Sequence, residues 1–136
     1  MMEPFVIRSA RDSTELRLGP PDQVGGFSYR ADLCSGVVNA SVEVYDLEPS
    51  TLVRFMESVA RDWRGWVGKK TWKSLEGHIG LECECDSLGH VFIPVRLRDG
   101  FGVQDWLAEG TLFVEAGQLS ALANACQRVF GIQTAG

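Results

Sequence analysis

Two alternations of apolar and polar residues dominate the first third of the chain. Phe27, Tyr29, Ala31 and Leu33 alternate with Ser28, Arg30 and Asp32, and Val38, Ala40, Val42 and Val44 alternate with Asn39, Ser41 and Glu43. A two-residue period sends each set to one side of the backbone, so both runs predict half-buried strands. Matching their apolar faces sets Leu33 opposite Val38 and Cys34 opposite Val37, with Ser35-Gly36 as a two-residue turn. Phe5 to Arg8 and Glu15 to Leu18 are shorter candidate strands. Pro20-Pro21-Asp22-Gln23-Val24-Gly25-Gly26 reads as a loop from its turn residues.

The period then lengthens. Leu52, Phe55, Met56, Val59, Ala60 and Trp63 recur at helical spacing and form one apolar stripe, which predicts a helix over 49–63. Pro49 suits the first turn, Leu47 and Leu52 have the spacing of a hydrophobic staple, and Gly65 is a natural stop. A second hairpin follows, with Ile79, Leu81, Cys83 and Cys85 facing Val91, Ile93, Val95 and Leu97. Pairing Cys85 with Val91, Cys83 with Ile93 and Leu81 with Val95 leaves Ser87-Leu88-Gly89 as the loop, with glycine where a left-handed residue is wanted. Trp106 to Glu115 is a last strand, with Leu112 and Val114 inward. Gln118 to Phe130 is a second helix with Leu119, Leu122, Ala123, Cys126, Val129 and Phe130 on its stripe, ended by Gly131. The order predicts an α+β fold: a mostly antiparallel sheet of about six to eight strands with two helices packed on one face.

Composition narrows the class. The chain has 136 residues, 45% of them hydrophobic and 23% charged, which fits a single globular domain over residues 1–136. A chain this long buries roughly two-thirds of its unfolded surface, so it needs no metal or disulfide to fold. The net charge of -5 argues against a general nucleic-acid or membrane-surface binder, since phosphates require a basic footprint. The N-terminus lacks an apolar run of signal-peptide length, and no stretch approaches the ~20 apolar residues of a membrane helix. A cytoplasmic location with four reduced cysteines is expected.

Catalytic chemistry is thinly represented. His78, Cys83, Cys85 and His90 are zinc-ligand types, but Cys83 and Cys85 share a strand face with Ile79 and Leu81, and His90 takes the opposite face. The thiols therefore read as small core hydrophobes. Cys34 lies beside a turn and Cys126 on a helix stripe, with no base placed near either. Glu82, Glu84 and Asp86 read as a solvated ladder beside Arg96 and Arg98. Glu76 and His78 flank Gly77 without further support for acid–base work. Gly100-Phe101-Gly102 lacks the following helix of a phosphate loop, and no hydrolase-elbow, zincin or Walker motif occurs. No cofactor, metal or catalytic residue is assigned.

The densest signal is the run from Trp63 to Gly77, which holds Trp63, Trp66 and Trp72 among Arg64, Lys69, Lys70 and Lys73. Tryptophan and arginine are enriched at interface hot spots. One reading makes Trp66 and Trp72 plugs at the end of the core, with Trp63 buried on the helix stripe. The other makes Trp63, Arg64, Trp66, Lys69, Lys70, Trp72 and Lys73 a partner-binding surface that stacks and pairs charge. Phe92 and Phe113, with Tyr45, are expected on a helix-free face of the sheet.

The runs Trp63-x-x-Trp66-x-Gly68, Trp72-x-Ser74-Leu75-Glu76-Gly77 and Asp86-x-x-Gly89-His90-Val91, with the later Ala116-Gly117-Gln118-Leu119, resemble a family of small bacterial proteins known as a domain of unknown function. Size and layout are also similar to immunity proteins of bacterial toxin systems, including the WapI-type group. That resemblance implies a cytosolic, non-enzymatic bacterial protein that binds one toxin domain. The expected function is protein interaction, with no nucleic-acid or membrane partner. The alternative is a small-ligand or metal-binding domain, or an enzyme, using His78, His90 and nearby acids.

Overall fold

A computed structural model of the chain describes residues 3–22, 27–48, 50–100 and 106–131. Gln23 to Gly26 of the first loop, the helix-starting Pro49, and Phe101 and Gly102 lie outside the described residues. The elements run β1 (Phe5–Arg8), β2 (Glu15–Leu18), β3 (Phe27–Cys34), β4 (Asn39–Asp46), α1 (Ser50–Arg61), β5 (Lys70–Lys73), β6 (Ile79–Cys85), β7 (His90–Arg98), β8 (Leu107–Glu115), a short 3-10 turn (Ala116–Gln118) and α2 (Leu119–Phe130). The α+β fold expected from the pattern is the one observed. The eight strands of the described residues are divided between two antiparallel sheets, β1-β2-β3-β4 and β5-β6-β7-β8.

Each sheet turns one apolar face inward, as the two-residue period requires. Leu16, Leu18, Ala31 and Val44 from the first sheet and Leu81, Ile93, Val95 and Leu112 from the second join one buried cluster. Leu52, Met56 and Val59 of α1 and Leu119, Cys126 and Phe130 of α2 complete it. The two helices pack on each other, α2 also on β1 and α1 on β5. The sheets approach closely where Leu33 meets Gly110, whose missing side chain leaves room for the Leu33 methyls; a Cβ there would lie 3.4 Å from Leu33 Cδ2.

The second hairpin has the expected register, with Cys85 opposite Val91 and Leu81 opposite Val95. Gly89 takes φ 85° in its turn. Asp86 Oδ1 accepts the backbone N–H groups of Leu88 (2.8 Å) and His90 (3.0 Å), which fixes the loop as an Asx-type turn. The first hairpin differs from its expectation. Leu33 pairs with Ala40 and Cys34 with Asn39, so the loop has four residues and is closed by Ser35 N–H donating to Val38 O (2.8 Å). Val37 and Val38 are exposed as a result. The slip is by two residues, which moves Val38 into the loop but leaves the side chains that stay in the two strands on their expected faces; alternation constrains the face but not the register.

Trp63 is a second correction. The helix ends at Arg61, and Gly65 N–H donates to Asp62 O (2.8 Å) in the turn that follows. Trp63 therefore leaves the helical stripe and is half exposed rather than core. β5 was not anticipated as a strand. It is an edge strand of the second sheet, with Trp72 opposite Leu81 and Lys70 opposite Cys83.

Candidate recognition surface

The connection from α1 to β5 is held by three side chains that point inward. The Trp66 indole N–H donates to Cys83 O (3.2 Å), and the Trp66 backbone N–H meets Cys85 Sγ at 3.2 Å. Lys70 Nζ donates to Ser58 Oγ (2.9 Å) and Asp62 Oδ2 (2.6 Å), with the Trp66 ring 5.7 Å away. Trp72 Nε1 donates to Thr51 Oγ1 (3.1 Å). Each half-buried polar tip thus has a partner, which is the condition for burying an amphipathic side chain. Trp66, Lys70 and Trp72 fasten the end of the core and stiffen what lies outside it.

The rest of the predicted set lies outside. Trp63 is 50% exposed, and the Arg64 guanidinium sits 5.2 Å from its ring. Val67 is fully exposed. Lys69 is exposed and pairs loosely with Glu82 at 3.6 Å. Lys73 is exposed on the outer side of β5. The seven residues therefore divide into an anchoring group (Trp66, Lys70, Trp72) and a presented group (Trp63, Arg64, Lys69, Lys73), to which Val67 belongs.

The zinc-type residues are not brought together. Among the described residues no group of three or more His, Cys, Asp or Glu side chains could hold a metal ion. Cys83 is in the core, and burial pushes its thiol up to about 12; burial does the same to Cys126, also to about 12. Thiols held so far from ionisation are poor nucleophiles at neutral pH. His90 Nδ1 lies 2.8 Å from Asp86 Oδ2, whose pKa is lowered chiefly by the backbone N–H of His90. The charge ladder exists with other partners than expected: Glu82 meets Lys69, and Arg96 meets Glu109 of β8 at 3.1 Å.

The aromatic face is likewise rearranged. Phe92 and Phe113 stack edge-to-face at 5.3 Å, and Arg11 from the β1–β2 turn covers them, 4.6 Å from the Phe113 ring. Tyr45 belongs to the first sheet and does not join them. The outer side of the second sheet instead carries an open groove of about 910 Å³ over Lys73, Gly80, Glu82, Arg96 and Thr111. Pro94, in mid-β7, also lines it. Proline has no N–H to give the neighbouring strand, and the β6–β7 pairs are interrupted opposite Ile93 and Pro94. A proline inside an alternating run is the sequence signal that could have marked this groove.

Comparison with known proteins adds a family and a fold. A family model described as a family of unknown function, DUF6228, matches residues 8–133. No curated protein matches the chain, so the toxin-immunity resemblance has no counterpart there. A similar solved structure is that of the plant transcriptional regulator PBF-2, at 10% identity and a TM-score of 0.52, over 96% of this chain and 81% of that one. At that identity the likeness is one of fold.

Proposed function

The chain belongs to the DUF6228 family of unknown function, and from that premise we propose that it is a non-enzymatic protein-recognition domain. Its contact surface is the corner built by Trp63, Arg64, Val67 and Lys69 together with the outer side of β5. One observation carries this reading: a half-exposed tryptophan with an arginine over its ring and a fully exposed valine lie on the same connection, which is tied down by the inward hydrogen bonds of Trp66 and Trp72. Large apolar side chains left in water on a rigid support lose little entropy when a partner covers them. An exposed apolar cluster rimmed by charge is how protein contact sites present themselves.

The electrostatics favour a protein over a nucleic acid. The net charge is -5, and Lys69, Lys70 and Arg96 each have a carboxylate neighbour, so no continuous basic track for phosphates stands out among the described residues. A toxin domain is the partner implied by the resemblance to immunity proteins, acting in the cytoplasm of a bacterium. The fold likeness to a transcriptional regulator adds no partner.

The test is capture from a native lysate with the wild-type chain and with a Trp63→Ala, Arg64→Ala variant. A partner held at a hot spot is lost by at least about thirtyfold, the size of a 2 kcal/mol truncation. The melting temperature should stay unchanged. Undiminished capture by the variant would remove this corner as the site.

A further inference from the structure

We infer that the outer groove of the second sheet contains a carboxylate-binding notch at Lys73, Gly80 and Arg96, and that it takes an acidic side chain from an extended segment of the protein partner. The three residues form one row across adjacent strands, since Lys73 pairs with Gly80 and Gly80 with Arg96. Neighbouring strands lie about 4.8 Å apart, so the two cations flank the glycine from either side at a distance their long side chains can close. Gly80 leaves the floor between them open: a Cβ there would meet nothing nearer than Trp72 O at 3.8 Å.

The charges on the row are available. Arg96 uses Nε and one terminal nitrogen on Glu109 Oε1, both at 3.1 Å, which leaves its other terminal nitrogen for a second acceptor. Lys73 has no ion-pair partner among the described residues. Arg98, two residues along β7, lines the same groove. Glu82, the nearest acid on β6, is drawn toward Lys69. The occupant follows from shape and charge. At about 910 Å³ the groove is too large for a lone ion and has room for an extended chain. Its wall, β5, runs on into Lys69 and Val67, so a segment lying in the groove would reach the proposed corner. The inference rests on the protein-recognition reading only for the identity of the partner, not for the notch.

The experiment measures binding of the full chain to a fluorescein-labelled peptide of alternating Glu and Val, to its Gln-for-Glu counterpart, to inorganic phosphate and to an oligothymidylate of matching length. The Glu peptide should bind, and the Gln peptide about tenfold more weakly. Lys73→Glu should weaken the Glu peptide about five- to tenfold by reversing one charge of the row, and Gly80→Val by a similar factor by filling the notch. Both substitutions sit on an exposed sheet face and should leave the far-UV spectrum unchanged. Equal binding of the two peptides, no loss in Lys73→Glu, or tighter binding of phosphate or the oligonucleotide would overturn the notch. Lysate capture separates the two ideas. A partner lost in Trp63→Ala but kept in Lys73→Glu sinks the notch alone. A peptide lost in Lys73→Glu, with no dependence of capture on Trp63, sinks the corner alone.

Discussion

Asp46 stands at the end of β4 and is buried, with 6% of the residue exposed. Its pKa is raised, first by burial, while backbone N–H groups of Leu47 and Leu75 oppose the rise; Oδ2 has no hydrogen-bond partner. A carboxyl whose folded pKa lies above its unfolded value binds its proton more tightly in the native state. Unfolding free energy therefore falls as pH rises through the window between the two values, and the penalty is fully present above it. Asp46→Asn should stabilise the protein at neutral pH by about 1 kcal/mol and flatten that slope. Urea titrations at neutral and mildly acidic pH check this, and destabilisation by the substitution at neutral pH would contradict it. Asp12, Glu48 and Asp86 have lowered pKa values, so their support disappears only at lower pH, as it falls through those values. The tryptophans give a second test at this scale. Trp66→Ala and Trp72→Ala should each cost about 2–4 kcal/mol, through lost packing and orphaned partners, whereas Trp63→Ala should stay within about 0.5 kcal/mol. Equal costs for all three in chemical denaturation would erase the division between anchoring and presented groups.

The turns show what local chemistry can settle. Gly89 occupies a left-handed position at φ 85° below the Asp86 cap. Gly89→Ala should cost about 1 kcal/mol, while Gly117→Ala should be neutral or mildly stabilising. Gly117 has an ordinary φ, and an added Cβ there would meet nothing within 4 Å. Thermal melts of the two variants side by side make the comparison. β1 and β2 were legible to the residue because their short alternations are bounded by turn residues. The register of β3 and β4 was not, since a slip of two residues keeps the side chains that stay in the strands on their faces. β5 was hidden because its residues Lys70, Thr71, Trp72 and Lys73 pair only through their neighbour β6, and an edge strand of four residues has too few positions to display a period.

Among the described residues one plan, four antiparallel strands followed by a helix, occurs twice over. No repeat is visible in the residues, because each half satisfies the plan with different side chains. Both halves nevertheless supply one contiguous core, and α1 meets α2 at its heart. Met56→Ala, deep in that core, should therefore cost about 2–5 kcal/mol. Unfolding followed by near-UV and far-UV signals should show coincident transitions. Separate midpoints for the two signals would contradict a single cooperative unit.

The amino-acid sequence by itself determined the type of every element but β5 and which side of each is buried, because two-residue and 3.6-residue periods are local properties of the backbone. It also marked the tryptophan-rich connection as unusual, and its motif pointed to a family of unknown function. Tertiary structure decided the rest. It divided the strands into two sheets and ended α1 at Arg61, which turned Trp63 outward. It drew Trp66, Lys70 and Trp72 in to partners at Cys83, Asp62 and Thr51, as far as 21 residues away in the chain. It also set Lys73, Gly80 and Arg96 in one row. Those outcomes depend on contacts between residues distant in sequence, and no local period carries them.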